Sequence, residues 1–381
     1  MKRFTETLTE GLAHMDHVED FWIANPDAYG QVVDVLESTF KSLAGSASSG
    51  VSITTKIDGS PAIVFGKHPK TGEFIIGTKS IFSKSPKYYS SIADTKNVPN
   101  KELGRILANA FPYLEQIDTK GKLLQCDLMF DSRILKRKNI DGEPHFVFQP
   151  NTIVYAVPLK SDIGDQISRA KIGISVHTEI HGELGGSMNK TQFDASNVHF
   201  PPTVWNCPVK IQSHAGVITF TAKQSKDLRK MIDTLRKNGR KYKAMIDAMN
   251  VLRGHFRNTF VQYSNAELKS ANTRLTLTAT KYDRFLSTKY KTHQPLSPEE
   301  KATVDEIIDY YQTIIKVKNA LVKKLDRISS LDTFVSTPDG FTVTGQEGFV
   351  VADIKGGNLF KLVNKLSFTR TNMLFGRFSN A

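Results

Sequence analysis

The chain of 381 residues exceeds one ordinary domain, and its content of 39% hydrophobic and 23% charged residues is typical of a soluble globular protein. No apolar run is long enough to cross a bilayer, and the N-terminal residues lack the apolar core and cleavage site of a secretory signal. We therefore expect no membrane contact and a cytoplasmic location. The formal charge of +13 favours a polyanionic partner, because Lys and Arg that neutralise phosphates release condensed counterions.

The first predicted element is a helix over residues 25–43, opened by Asn25 and Pro26. Its helical spacing is carried by Val32, Val33, Val35, Leu36 and Phe40. From residue 51 to about 223, runs of β-branched and aromatic residues broken by Gly, Pro, Asn and Asp predict strands. These strands lie within VSITTKIDG, AIVFGKHPKTGEFIIGTKS, KLLQCDLMF, HFVFQPNTIVYAVPL, AKIGISVHTEIHG and VKIQSHAGVITFTAK, with a hairpin turn at residues 70–73.

Helical periodicity replaces the strand pattern from Gln224 to about Ser330, and Ser297 followed by Pro298 predicts a helix start. Between Lys223 and Arg327 there are 23 Lys and Arg against 11 Asp and Glu, which is nearly the whole charge excess. The sequence pattern of strands returns over residues 340–368. The pattern predicts an α+β fold of antiparallel sheets, with a basic helical module over 224–330 inserted between a first part, 1–223, and C-terminal strands within 331–381.

The two cysteines, Cys126 and Cys207, have neither CxxC nor histidine spacing. We expect two core thiols, with no disulfide and no structural zinc. The pair His177 and His181, with Glu179 between them, has metal-like spacing on one strand face, but packed or solvated histidines are the commoner outcome.

The segment KIDGSPAIVFG, residues 56–66, is the strongest chemical motif. Lys56 ends a predicted strand, and Asp58 and Gly59 form a tight turn before the next strand. This arrangement would place an amine beside a backbone loop that is open to a ligand. The alternative is a plain hairpin turn with a solvated lysine.

Three further segments accompany this motif. EGFVV places Glu347 at the start of a hydrophobic strand, and FKLVNK carries Lys361 and Lys365 shortly after it. LLQCDLMF holds Asp127 as its only charge, and a buried acid is costly unless it is paired, protonated or bound to metal. An ion pair at the strand end is the alternative for Asp127.

These residues, in this order, resemble the covalent nucleotidyltransferase superfamily of ATP-dependent DNA ligases, RNA ligases and mRNA capping enzymes. The string KxDGSPA also resembles ligase-like proteins of tailed phages, for which the location would be the host cytoplasm. The resemblance covers residues 51–200 and 340–368. It implies an antiparallel-sheet adenylation domain in which Lys56 attacks ATP and becomes adenylated, with Mg²⁺ or Mn²⁺ as cofactor and Lys361 as a second catalytic residue.

The resemblance also implies a nucleotide-binding set: Asp58, Gly59, Lys79, Ser80, Asp127, Tyr155, Glu347 and Lys365. Asp127 and Glu347 would hold the metal, since hard carboxylate oxygens suit Mg²⁺. Tyr155 would stack on adenine, with Phe130 and Phe148 as alternatives. The third motif of the superfamily usually carries Glu where Asp127 stands, and the fifth usually carries Lys where Val363 stands.

The implied function is an ATP-dependent polynucleotide ligase that joins 5′-phosphate and 3′-hydroxyl ends. Few residues follow the last predicted strand, which favours RNA over nicked DNA. The predicted helical module would bind nucleic acid through Arg236, Lys237, Arg240 and Lys241. Two alternatives remain open: a nucleic-acid-binding protein of the same fold that has lost catalysis, and a nucleotidyltransferase that acts on a protein or small molecule.

Overall fold

A computed structural model describes most of the chain. The described residues are 17–45, 50–57, 59–151, 153–185, 188–195, 198–207, 220–271, 273–328, 331–337, 340–343, 346–353 and 359–366. The chain forms two compact units. Unit 1 comprises residues 1–14, 56–209 and 330–346, and unit 2 comprises residues 15–55, 210–329 and 347–381.

The described residues form eight α-helices and fifteen strands, numbered in chain order. The helices are α1 Val18–Ala24, α2 Tyr29–Leu43, α3 Lys101–Leu114, α4 Asp162–Arg169, α5 Ala222–Arg253, α6 Phe256–Ser270, α7 Ala279–Lys289 and α8 Pro298–Leu325. The strands are β1 Val51–Lys56, β2 Ala62–Lys67, β3 Phe74–Gly77, β4 Tyr88–Tyr89, β5 Leu123–Asp131, β6 Lys136–Ile140, β7 Glu143–Phe148, β8 Val154–Pro158, β9 Ile172–Gly182, β10 Met188–Gln192, β11 Val204–Asn206, β12 Asp332–Thr337, β13 Gly340–Val343, β14 Gly348–Asp353 and β15 Leu359–Leu362.

Unit 1 contains two sheets. Strands β10-β9-β5-β2-β3-β4 form an antiparallel sheet, to which β11 adds in parallel beside β9. One face of this sheet packs on α3, where Leu107 and Phe111 meet the buried side chains of Ile63 and Phe65. The second sheet has the order β13-β12-β8-β7-β6, so residues near the C-terminus pair with β8.

Unit 2 is mostly helical. Helices α1, α2 and α5 to α8 share one apolar core, which also receives Ile53, Phe349 and Phe360 from a three-stranded sheet of order β1-β14-β15. The predicted helical segment 224–330 thus packs together with α1, α2 and this sheet. The domain boundaries were predicted at residues 223/224 and 330/331, whereas the two units divide at 14/15, 55/56, 209/210, 329/330 and 346/347.

The coarse prediction of an α+β protein rich in antiparallel pairing is confirmed. The start of α8 is confirmed in detail: Glu300 N donates to Ser297 Oγ at 3.1 Å, and Ser297 N donates to Glu300 Oε2 at 2.8 Å, which is a capping box. The helix predicted over 25–43 is a 3₁₀ turn, Pro26–Ala28, followed by α2. The strand predicted within 209–223 falls mostly outside the described residues, and its end, from Ala222, begins α5.

Both cysteines are buried and free, as expected of core thiols, and burial raises the pKa of each. None of the helices in the described part of the chain combines the length and the apolar character that a bilayer crossing requires.

Candidate active site

The three-stranded sheet places two of the predicted lysines on one face. Ile53, Phe349 and Phe360 point into the core of unit 2. Because successive side chains of a strand point to opposite faces, Lys56 of β1 and Lys361 of β15 both lie on the other face. Both side chains are half-buried. Since β14 separates their strands, the two backbones run about 10 Å apart.

Glu347 and Gly348 lie at the start of β14, the middle strand of that sheet. The Glu347 side chain is buried. Gly348 has a φ of 153°, and a Cβ at this position would lie 2.7 Å from the Leu362 carbonyl oxygen. The glycine of EGFVV therefore has a local reason, because only glycine allows β14 to approach β15 here.

Lys365 occupies a different environment from Lys361. It belongs to a buried ion cluster in unit 2, where its ammonium donates to Asp20 and lies 3.6 Å from Glu19 Oε1. Lys318 donates to Glu19 Oε1 at 2.5 Å, and both of these side chains are fully buried. The Tyr311 hydroxyl donates to Asp20 Oδ1 at 2.7 Å. The ammonium predicted to meet a nucleotide is thus paired with carboxylates of α1.

The charges of this buried cluster support one another. Burial would raise the pKa of the Glu19 carboxyl, but Lys318 and Lys365 outweigh burial and lower that pKa to about 2. Burial lowers the pKa of the neighbouring His17, and Lys365 lowers it further. Burial lowers the pKa of Lys318, while its 2.5 Å contact with Glu19 opposes that shift because it favours the charged ammonium.

In unit 1, the loop after β1 lies directly against Asp127. A Cβ added to Gly59 would be 2.6 Å from Asp127 Cβ and 2.7 Å from the Leu128 carbonyl oxygen. The same carbonyl accepts a hydrogen bond from Ser60 N at 2.9 Å. Gly59 and Asp127, both predicted site residues, are therefore neighbours, whereas Asp58 lies outside the described residues.

Replacing Gly59 with alanine should displace this loop, because no Cβ fits between the loop and β5. We expect a loss of about 1–3 kcal/mol in the free energy of unfolding, as for other overpacked sites. The matched control is Gly30→Ala in α2, where a Cβ meets nothing within 4 Å and should stabilise the helix slightly. Chemical denaturation of both variants measures the difference, and equal stability of the two would contradict the close approach.

Asp127 faces a histidine on the neighbouring strand. On β9, Val176 pairs with Cys126 and Thr178 pairs with Gln125, so His177 is an extra residue in a β-bulge. Its Nδ1 lies 2.7 Å from Thr178 Oγ1, and its Nε2 lies 3.8 Å from Asp127 Oδ1. The Asp127 side chain is 20% exposed. The bulge thus directs an imidazole to a partly exposed carboxylate.

The 3₁₀ turn Lys79–Phe82 lies on the same face of the large sheet as Asp127. Ile81 of the turn packs on Val64 of β2. Ala62, two residues before Val64 and on the same face, is the strand partner of Asp127. Lys79 is exposed, and Ser80 Oγ lies 3.1 Å from Thr78 Oγ1.

Tyr155 lies on β8 in the second sheet of unit 1. Its ring is 1% exposed and stacks on Phe148, with 5.6 Å between ring centroids. Phe130 and Phe148 are buried as well and contact each other. All three aromatic candidates therefore pack within the protein, and the ring predicted to stack on adenine is already stacked on a neighbour.

The predicted nucleic-acid-binding residues lie on α5 and differ in their partners. Arg236 bonds to Asp34 Oδ1 at 2.8 Å and to Glu37 Oε2 at 2.6 Å, and Lys241 pairs with Glu306. Lys237 and Arg240 are exposed. Two of the four cations are therefore engaged with acids of unit 2.

Within the part of the chain that the structure describes, no three His, Cys, Asp or Glu side chains cluster as a metal site. Asp127 nevertheless offers a partly exposed carboxylate, and Mg²⁺ is commonly held by one or two carboxylates together with substrate phosphates. The carboxylate oxygen of Asp127 therefore fits this ion. His177 is the neighbour that sequence interpretation missed, since only the bulge on β9 brings it to Asp127.

Comparison with known proteins identifies the family. Residues 13–377 match the Family of unknown function (DUF6267), so the chain belongs to that family. No curated protein matches the chain, and no solved structure matches it either.

Proposed function

We propose that the protein is an ATP-dependent nucleotidyltransferase of the polynucleotide ligase type, with the adenylation fold of that superfamily. The observation that supports it best is the common sheet face of Lys56 and Lys361, two lysines 305 positions apart in sequence numbering that the motif order had assigned to one reaction. A nucleophilic amine and a second cation are the groups that attack on a polyphosphate requires.

In the proposed reaction, the neutral amine of Lys56 attacks the α-phosphorus of ATP. The N–P bond forms as the bond from the α-phosphorus to the bridging oxygen breaks, pyrophosphate leaves with that electron pair, and the amine loses a proton to solvent. Lys361 supplies positive charge for the phosphate oxygens, where negative charge develops. Asp127 would bind Mg²⁺ or Mn²⁺, and such an ion neutralises phosphate charge when bound.

Transfer to the polynucleotide would follow in two steps. A 5′-phosphate oxygen attacks the phosphorus of the Lys56 adenylate, and the N–P bond breaks as the amine takes up a proton. A 3′-hydroxyl oxygen then attacks the 5′-phosphate phosphorus, AMP leaves, and the hydroxyl proton passes to solvent. The favourable free energy of ATP cleavage to AMP and pyrophosphate thereby drives formation of the phosphodiester.

One observation favours the second candidate, a nucleic-acid-binding protein without catalysis. Lys365, which would fill the second cationic position of the fifth motif, is 5% exposed and held by Asp20 and Glu19.

Incubation with α-³²P-ATP and Mg²⁺ separates the candidates, because only the enzyme retains label after denaturation. Addition of nicked duplex or 5′-phosphorylated RNA should then discharge the label as AMP. If the natural acceptor is instead a protein or a small molecule, these polynucleotides should leave the label on the enzyme.

Replacing Asp127 with alanine should lower the rate of self-adenylation by about 10²-fold, the effect of losing one positioned electrostatic group. The control is Asp118→Ala, which removes an exposed loop carboxylate of the same unit. Rates of label incorporation at saturating Mg²⁺ measure both. Full activity of the Asp127 variant would show that this carboxylate has no part in the reaction.

A further inference from the structure

One long face of α5 carries lysines that, among the described residues, take no part in the ion pairs formed by other cations of this helix. The helix buries Leu228, Ile232, Leu235, Ile246 and Met249 in unit 2, so the opposite face is exposed. Lys226, Lys230 and Lys237 lie on that face at spacings of four and seven residues, which aligns them along the helix.

These three lysines differ from the neighbouring cations in their partners. Arg236 and Lys241 are paired with acids, and Lys243 contacts Asp27 and Asp247. Among the described residues, by contrast, no carboxylate lies within 4.0 Å of the ammonium of Lys226, Lys230 or Lys237. Their charge is therefore not neutralised by the described part of unit 2.

We propose that this lysine stripe, Lys226, Lys230 and Lys237, is a phosphate-binding surface for the backbone of a nucleic acid. The stripe extends about 16 Å along the helix, from 1.5 Å per residue. Successive phosphates of one strand are about 3.4 Å apart along a duplex axis, so three lysines in line can meet several of them. The stripe replaces Arg236 and Lys241 as the contact residues, because those two cations are held by acids.

A single acid lies within the stripe and gives the surface a second signature. Asp233 is exposed and stands between Lys230 and Lys237 on the same face. Its charge repels a phosphate backbone, so its removal should strengthen binding. A purely structural role for the lysines predicts no such gain.

This surface deepens the proposed function. The inference rests on that function only for the identity of the partner, a nucleic acid. The test measures binding without ATP, by fluorescence anisotropy of a labelled duplex and of a labelled single-stranded RNA between about 50 and 200 mM salt. Changing Lys226, Lys230 and Lys237 together to Gln should weaken binding by about tenfold or more. The slope of log K against log salt should flatten by about 0.9 per lysine on duplex or about 0.7 on single strands.

The matched control changes Lys96, Lys101 and Lys291 to Gln, since these lysines are also exposed and the same charge is lost. Asp233→Asn should bind more tightly than the unmodified protein, and circular dichroism monitors the fold of every variant. Equal weakening by the two triple variants would overturn the proposal. An unchanged salt slope in the stripe variant would also overturn it. So would the absence of nucleic-acid binding by the unmodified protein at low salt, which is the result that a protein-docking face predicts.

The outcome is independent of adenylation. A chain that binds through the stripe but takes no label from α-³²P-ATP retains this surface and loses the proposed reaction. A chain that is labelled normally, and whose stripe variant binds nucleic acid normally, retains the reaction and loses this surface.

Discussion

Changing Lys56 to alanine is expected to abolish covalent labelling by α-³²P-ATP, because no other amine would form the phosphoramidate. Intact mass spectrometry of the unmodified protein should show one added AMP that is lost in acid, and peptide mapping should place it on Lys56. The expected decrease is complete within detection, since the nucleophile itself is removed.

The control for Lys56 is Lys67, which ends β2 as Lys56 ends β1 but is exposed. Lys67→Ala should be labelled normally. Lys361→Ala should retain its fold and label slowly, because it removes only the second cation on the sheet face. Adduct on any lysine other than Lys56, or undiminished labelling of Lys56→Ala, would refute the assignment.

Local features of the fold were predictable because short segments determine them. Ser297 and Glu300 predict the start of α8, since a capping box needs only four consecutive residues. The turn between β2 and β3 follows from Gly72, whose φ is 73°. Helix α3 was not predicted, because it lies in a stretch that strand-forming segments surround. Its local signals are nevertheless present, since Asn100 caps it and Leu103, Leu107 and Leu114 have helical spacing.

The candidate site was only partly predictable, because its contacts are distant in sequence. The alternation of each strand is visible in the sequence, but the order β1-β14-β15, which puts Lys56 and Lys361 on one face, is not. The position of His177 depends on one extra residue in β9, and a shift of one residue changes the face of a side chain. Lys365 pairs with Asp20, 345 residues away, and no local sequence pattern predicts a partner at that separation.

The buried ion cluster has a consequence for stability. Lys318 and Glu19 are both fully buried, so removal of one charge leaves the other without its closest partner in a medium of low dielectric. Lys318→Met retains most of the side-chain volume and should lower the free energy of unfolding at neutral pH by about 3 kcal/mol or more. Adding Glu19→Gln should recover part of this loss, because the uncompensated carboxylate is gone.

The pH dependence separates this charge effect from a packing defect. Because the pKa of Glu19 is about 2 in the folded protein and 4.5 for the ordinary group, the unfolded chain binds a proton first, and the stabilisation falls as the pH drops from about 4.5 towards 2. In Lys318→Met the folded carboxyl protonates more readily, so the cost of the substitution should shrink over the same range.

Urea unfolding followed by Trp22 fluorescence measures this effect, with Trp205→Phe in every variant so that only the buried tryptophan of α1 reports. The control is Lys316→Met, an exposed lysine on the same helix, which should cost less than about 0.5 kcal/mol. A cost of Lys318→Met that stays constant from pH 7 to pH 3 would mean that lost packing, and not the charge of Glu19, accounts for it. A cost that declines with acid, and a double variant more stable than Lys318→Met alone, would establish that α1 is held to α8 by an ionised pair.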